Sequence, residues 1–206
     1  VLLASFALMR FAPGGPFDGE RPLAPEARAA LEAAYGLNLP MGEQFALFLK
    51  RTLSGDFGPS LVYRDFTVTQ LIADSLPVSL TLGGLAIALA LALGLAAGTV
   101  AALRPGGWAD ETLMLAATIV TALPSFVTGP LLALIFGLWL GLLPVGGLGD
   151  GLLNAPQYWI MPVIALALPV AGAIAKLARA GLAAALAQEH IRTARARGLG
   201  TGAIVL

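Results

Sequence analysis

Cysteine is absent from the 206 residues. Neither a disulfide framework nor a thiolate metal site can therefore be built. Histidine occurs once, as His190. A metal or catalytic role needs partners that its sequence neighbourhood does not supply, so it reads as a solvated residue on a basic helix. Charged residues make up only 12% of the chain, about half the share carried by a soluble domain. Lysine is nearly missing, with Lys50 and Lys176 alone. Net charge is zero, and no basic tail or stripe suits nucleic acid. Residues 75–103, 112–143 and 158–175 hold no charged side chain at all. Acids inside a membrane mark proton and ion paths, so their absence argues against a proton-coupled carrier and against an aspartyl intramembrane protease. Ser79 and Ser125 lack an intramembrane His or Lys partner, which argues against a serine protease. No Gly-x-x-x-x-Gly-Lys-[Ser/Thr] loop occurs, so this chain does not itself hydrolyse ATP.

What is present is apolar. Hydrophobic residues make up 58% of the chain and the mean hydropathy is +0.85, the composition of a membrane protein. Residues 1–12 read as the end of a first transmembrane helix, with Arg10 snorkelling at its edge. Residues 13–74 hold most of the acids and are punctuated by Pro and Gly. Within them 25–35 suits a short helix stopped by Gly36. Residues 40–53 suit a second, with Phe45, Leu49 and Leu53 on one face, and 66–75 reads as an amphipathic lead-in to the membrane. The segment is too long for a plain connector and is expected to be a small folded subdomain.

Residues 75–103 form an uncharged run longer than the ~20 residues that span a bilayer. Gly83, Gly84, Gly94 and Gly98 within it favour close helix packing. Residues 104–111 read as a polar turn. The next uncharged run, 112–143, is interrupted by Pro124 and Pro130, whose freed carbonyls Ser125 and Thr128 are placed to satisfy. Residues 144–156 form a Gly-rich loop, and 158–178 is a third span opening on Tyr158 and Trp159 as interface anchors. Residues 176–206 carry five bases and one acid, whereas 144–156 carry no base. The positive-inside rule puts the basic side in the cytoplasm. By alternation 104–111 is cytoplasmic too and 13–74 is extracytoplasmic. The chain opens at Val1 inside one apolar run and stops at Leu206 as another begins, so a fragment of a longer protein is expected, incomplete at the C-terminus.

The stretch around which these parts are organised is basic and follows the third span. Leu186 to Arg197 is built from helix formers, with Glu189 early and Arg192, Arg195 and Arg197 late, the order that suits a helix dipole. Gly198 is placed as a left-handed stop, with the apolar Leu199 that a Schellman cap wants next. Thr201 is a cap for a second short helix. Ala194, Ala196, Gly198, Gly200 and Gly202 keep the backbone approachable, as a surface pressed into a partner's groove requires. Setting topology alone needs only the charges.

The run Ile191-Arg192-Thr193-Ala194-Arg195-Ala196-Arg197-Gly198-Leu199 resembles the cytoplasmic coupling loop of ABC importer permeases, in the variant of the peptide-importer branch. Arg192-Thr193-Ala194 stands where the general pattern has Glu-Ala-Ala, and Gly198 stands in the glycine place. The Ile-x-Leu-Pro end of that pattern falls beyond Leu206. The resemblance extends to Arg10-Phe11-Ala12-Pro13-Gly14-Gly15-Pro16-Phe17 with Gly19-Glu20-Arg21, to Gly55-Asp56-Phe57-Gly58-Pro59-Ser60, to Leu123-Pro124-Ser125-Phe126-Val127 and to Leu143-Pro144-Val145-Gly146-Gly147.

The resemblance implies an all-α polytopic transmembrane helical bundle of the ABC importer permease type, a fragment of a six-helix subunit whose permease domain is 75–206. It implies a multi-pass subunit of a bacterial or archaeal cytoplasmic (inner) membrane that moves oligopeptides. The dipeptide and nickel branches are the nearer alternatives, and an ion-coupled secondary carrier a remoter one. Implied partners are a second permease subunit forming a heterodimer, two ATPase subunits, an extracytoplasmic peptide-binding protein and membrane lipid, with no nucleic acid. No cofactor is bound by this chain in that reading, ATP and Mg belonging to the partner ATPases. The implied coupling loop, 182–204, centres on Glu189, Ile191, Arg192, Thr193, Ala194, Arg195, Ala196, Arg197, Gly198 and Leu199. Pro124, Ser125, Phe126, Thr128 and Pro130 are the candidate translocation path or hinge.

Overall fold

The computed structural model describes residues 2–11, 36, 38–58, 60, 63, 65–200 and 202. The helix expected at 25–35, the Gly19-Glu20-Arg21 match and the second short helix expected after Thr201 lie outside the described residues. Every element that the described residues form is a helix, as an apolar chain that satisfies its backbone internally requires. The chain divides into two units, Val1–Val78 and Ser79–Leu206.

In the first unit, α1 (Leu2–Phe11) packs on α2 (Met41–Leu53). Phe6 is buried and sets its ring centroid 5.3 Å from that of Phe45, edge to face, and 5.6 Å from that of Phe48, a favoured aromatic spacing. Pro40, with φ −56°, precedes the first turn of α2 and its carbonyl accepts from the amides of Glu43 and Gln44. Glu43 lies in the first turn, and Lys50 and Arg51 in the last, an order that complements the helix dipole. The apolar face turns out to be Phe45 with Phe48, whereas Leu53 is 76% exposed. The apolar stripe expected to run on to Leu53 therefore ends a turn early.

The Gly-Asp-Phe-Gly turn after α2 uses both glycines in left-handed backbone, φ 77° at Gly55 and 78° at Gly58. It closes on the start of α3 (Val68–Leu103). The Thr69 hydroxyl donates to the Gly55 carbonyl at 2.8 Å and accepts from the Phe57 amide at 3.1 Å. The Asp56 carboxylate takes the Gly58 amide at 2.9 Å, and the Val68 amide donates to the Gly58 carbonyl at 2.9 Å. Thr67 and Gln70 exchange side-chain bonds with one another's amides at 3.1 and 2.9 Å, a capping box that fixes where the helix begins. The expected lead-in at 66–75 is thus no separate element. It is the first two turns of a 36-residue helix that passes through Pro77.

The second unit is a small-residue bundle. Besides α3 it contains α4 (Trp108–Ala122), α5 (Ser125–Leu132) continuing as a π-helical stretch (Ala133–Trp139), α6 (Gln157–Leu186) and α7 (Glu189–Ala196). Ala86, Ala90, Ala167 and Ala171 form a buried cluster, flanked by Leu89 and Ile174. A Cβ added at Gly94 would lie 2.7 Å from the Ala171 carbonyl oxygen, and one at Gly98 2.5 Å from that of Ala175 and 2.7 Å from the Ala178 Cβ. Contacts that advance together along both helices mean that α3 and α6 run in the same direction. On another face of α6, a Cβ at Gly172 would meet the Ala117 carbonyl and the Thr121 hydroxyl at 2.6 Å, and Arg179 meets Asp110, so α4 runs antiparallel to α6. Helices approach this closely only where side chains are small. Gly94 and Gly98 serve that packing. Gly83 and Gly84 do not, since a Cβ at either would touch nothing within 4 Å.

Among the described residues two helices, α3 and α6, are long and apolar enough to cross a membrane, and the pair α4 with α5 counts as a third span if taken together. That pair is bent by 107°, so 112–143 is no straight rod. Proline accounts for the break. Leu123 precedes Pro124 and has left the helix for φ −76°, ψ 121°, as the pyrrolidine ring demands of its predecessor. Two boundaries differ from the sequence reading for simpler reasons. The polar turn is only 104–107, because Trp108 already opens α4, and α6 continues past Lys176 and Arg179 to Leu186 through Ala- and Leu-rich sequence that favours helix.

Candidate coupling surface and broken helix

The basic stretch is resolved into a helix, a cap and a turn. The α6 helix stops at Leu186, Gln188 takes extended backbone (φ −73°, ψ 153°), and α7 starts at Glu189. Glu189 sits in the first turn and Arg195 in the last, complementing the dipole. At the other end Gly198 has φ 85°. Its amide donates to the Arg195 carbonyl at 2.9 Å, and the Leu199 amide donates to the Ala194 carbonyl at 3.2 Å. These paired bonds define a Schellman cap, so the left-handed stop read from the sequence is present at the residue expected.

None of the side chains of α7 is buried. Ile191 and Ala194, three apart and so on one face, are half-buried. Glu189, Arg192, Thr193, Arg195, Ala196, Arg197, Gly198 and Leu199 are exposed. The Thr193 hydroxyl bonds back to the Glu189 carbonyl at 3.2 Å and stays within the helix. The outcome is a short, capped helix with an outward face of Arg192, Thr193, Arg195 and Ala196, tied to a 30-residue helix by two residues.

The other candidate residues lie at the break between α4 and α5. Pro124 occupies the N-terminal cap position of α5 with φ −62°, ψ 141°, and its carbonyl accepts from the amides of Val127 and Thr128. Thr128 is buried and its hydroxyl donates to the same Pro124 carbonyl at 3.3 Å. That corrects the expectation that it satisfies a carbonyl freed by proline, because four residues back from Thr128 is Pro124 itself, whose carbonyl heads α5. Phe126 is 77% exposed and Pro130 is exposed inside α5. Of Ser125 the backbone alone is described. The π-helical stretch that follows closes with the Leu140 amide on the Ile135 carbonyl at 3.0 Å and with Gly141 at φ 61°. Gly137 leaves room for Val145 of the next loop to fold against it. The candidate path residues are thus gathered at one bend, on a different element from the candidate coupling residues.

Sequence reasoning missed one polar site. Asp110, in the first turn of α4, is 3% exposed. The Arg179 Nε donates to its Oδ1 at 2.7 Å and an Nη to its Oδ2 at 2.5 Å. The Gly106 amide adds a bond to Oδ2 at 2.9 Å, with Gly106 at φ 74°. The partners are 69 residues apart, so no local spacing announces them, and each charge taken alone looks like a topological marker.

A helical membrane bundle with a broken span and an exposed, capped basic helix is an architecture that suits the membrane component of a transporter. Residues 94–206, more than half of the chain, match the binding-protein-dependent transport system inner membrane component family, and the chain belongs to that family. It is 44% identical over 206 residues to the oligopeptide transport system permease protein OppB of Escherichia coli (strain K12), covering 100% of this chain and 66% of the relative. It is 44% identical over 202 residues to OppB of Haemophilus influenzae, covering 98% and 65%. It is 35% identical over 202 residues to the dipeptide transport system permease protein DppB of Bacillus subtilis (strain 168), covering 98% and 64%. The chain thus spans about two thirds of the length of the curated relatives it matches. All three come from bacteria, which lends an archaeal membrane no support.

Proposed function

We propose that this chain is the core of a permease subunit that carries oligopeptides across a bacterial inner membrane in an ATP-driven importer. One observation carries the reading: the match at 44% identity along the whole chain to permeases named for oligopeptides, against 35% for one named for dipeptides. In this reading ATP and Mg are held by two partner ATPase subunits, a second permease subunit completes the path, and an extracytoplasmic binding protein delivers the peptide. The common direction of α3 and α6 supports an orientation with 104–107 and α7 on the cytoplasmic side and 144–156 outside, in keeping with the placement of bases.

Exposure of the arginine face of α7 and the stiffness given by its cap support its docking on an ATPase. ATP binding favours one permease state only if the closed ATPase pair binds that state better. The short link from α7 to α6 makes the docked helix a lever on the bundle. The bend at Pro124 is the element that changes, with Phe126, Thr128 and Pro130 beside the path, and residues 13–74 receive the binding protein. A path without fixed charge suits peptides of varied side chains, because backbone is common to all of them. Uptake by the complete importer in vesicles tests the reading: tri- to pentapeptides should accumulate in an ATP- and binding protein-dependent way. Uptake of dipeptides or nickel but of no tri- to pentapeptide would defeat the oligopeptide claim and move the protein to a sister branch, and uptake of none of these would defeat the importer reading as a whole.

A further inference from the structure

We propose that Asp110 and Arg179 form a positioning pair that makes the start of α4, the 104–107 turn and the end of α6 move as one body, so that displacement of α7 reaches the Pro124 bend. The relay rests on the coupling role proposed above for α7, whereas the joining of α4 to α6 rests on geometry alone.

Arg179 lies where several elements meet. Its side chain grips Asp110 with two parallel bonds, at 2.7 and 2.5 Å. Its backbone nitrogen would be 3.0 Å from a Cβ at Gly98 of α3. The carboxylate it holds also takes the Gly106 amide, so the left-handed turn between α3 and α4 is fastened to the same point. From Arg179, α6 continues for two turns to Leu186, and α7 follows after Ala187 and Gln188. In the other direction α4 runs without interruption from Asp110 to Ala122, where the break begins.

Packing alone would not need charge here. Well-matched apolar side chains can stabilise such a junction equally well, and what an ion pair adds is a defined geometry. The planar guanidinium fork accepts one orientation of the carboxylate, which a lysine ammonium does not impose. Against α4, Gly172 of α6 presents no side chain, so that contact sets no directional bond against sliding or rotation. The fork fixes both at the end of α6 nearer α7.

The complete importer in vesicles, with Asp110→Asn, Arg179→Lys and the double variant Asp110→Asn with Arg179→Gln, tests this. The readouts are the yield of assembled complex and the number of peptides moved per ATP hydrolysed. A purely structural pair would lower the yield and leave the ratio of the surviving complexes unchanged. The expected result is a ratio reduced roughly tenfold in Asp110→Asn and Arg179→Lys, within the range of coupling between linked sites. The double variant removes both charges, so neither is left without its partner, and it should assemble and remain uncoupled. A wild-type ratio in the double variant would overturn the proposal, and it decides the matter should the single variants fail to assemble.

Because the chain has no cysteine of its own, spin labels can be placed through Glu111→Cys and Ala184→Cys, both exposed sites. Their separation should stay narrow and constant with and without a non-hydrolysable ATP analogue, and should broaden once Asp110→Asn is added. A distribution equally narrow in that variant would refute the joining itself. This second measurement holds even if the wild-type importer moves no peptide, an outcome that would instead defeat the functional reading.

Discussion

Gly98 of α3 and Ala178 of α6 meet so closely that a methyl group added at 98 would stand 2.7 Å from the Ala178 Cβ. Four residues earlier, Gly94 meets Ile174 in the same way, so two glycines four apart make one seam. Such contacts cannot be relaxed by turning a flexible side chain, because the opposing atoms include the carbonyls of Ala171 and Ala175. We therefore expect Gly98→Val to push the helices apart and to lower stability by about 1–3 kcal/mol or more, the usual cost of overpacking. Gly84→Ala is the matched control. Its new methyl would touch nothing within 4 Å and should be neutral or gain about 0.5–1 kcal/mol from helix propensity. Unfolding in detergent, followed by circular dichroism, distinguishes the two.

A second expectation concerns the clasp on the first turn of α3. Thr69→Val keeps the shape of the side chain and removes both its bonds, to the Gly55 carbonyl and from the Phe57 amide. These groups are exposed and water can replace the lost partners, so each bond should count for only about 1 kcal/mol. Hydrogen exchange in the peptide containing Phe57 should speed up severalfold, while Thr69→Ser, which keeps the hydroxyl, should leave it slow. Equal exchange in all three proteins would mean that the turn is held by its glycines and Asp56 alone.

What the sequence made legible was whatever depends on near neighbours. The uncharged runs showed where α3 and α6 lie, and Gly198 followed by Leu199 announced a cap that the amides of those two residues complete. The seam was half legible. Gly94 and Gly98 signalled close packing, but nothing local told them apart from Gly83 and Gly84, because the difference lies in where α6 passes. The Asp110–Arg179 pair was invisible for the same reason. The π-helical stretch was hidden too, since Ala133–Trp139 is an ordinary apolar run and its wider turns leave no mark on residue type. Pro124 was recognised as an interruption, yet the size of the bend depends on what α5 packs against.

Orientation gives a third prediction. The loop 144–156 has Asp150 as its single charge, and the bases cluster from 176 onward. In the cysteine-free chain, Asp150→Cys should react with an impermeant thiol reagent added outside intact cells, and Gly200→Cys only after the cells are opened. Both positions are exposed in the folded protein, so lack of reaction reports the membrane rather than burial. Labelling of both from one side would reverse or abolish the assigned orientation.

The last prediction uses Gly198, where backbone conformation can be separated from packing. A Cβ built at this position meets nothing within 4 Å, so a larger residue is not excluded by neighbours. Its φ of 85° is what a side chain resists, at a cost of about 1–2 kcal/mol, and more for a β-branched residue. Gly198→Val should therefore open the Schellman cap and fray the end of α7 around Arg195 and Arg197, leaving the membrane helices intact. Asn is the residue other than Gly that most often accepts this conformation at a helix end, so Gly198→Asn should retain most of the cap. If α7 docks on an ATPase subunit through a rigid face, valine should reduce both co-purification of that subunit and peptide-stimulated ATP hydrolysis, with asparagine close to wild type. The order glycine, asparagine, valine follows backbone strain and differs from the order of side-chain size expected of a steric block only through valine's branching, so Gly198→Leu completes the series. Leucine is larger than valine but less strained at its Cβ, and an intermediate effect would assign the loss to the cap. A wild-type response from all three variants would show that the left-handed turn has no part in coupling.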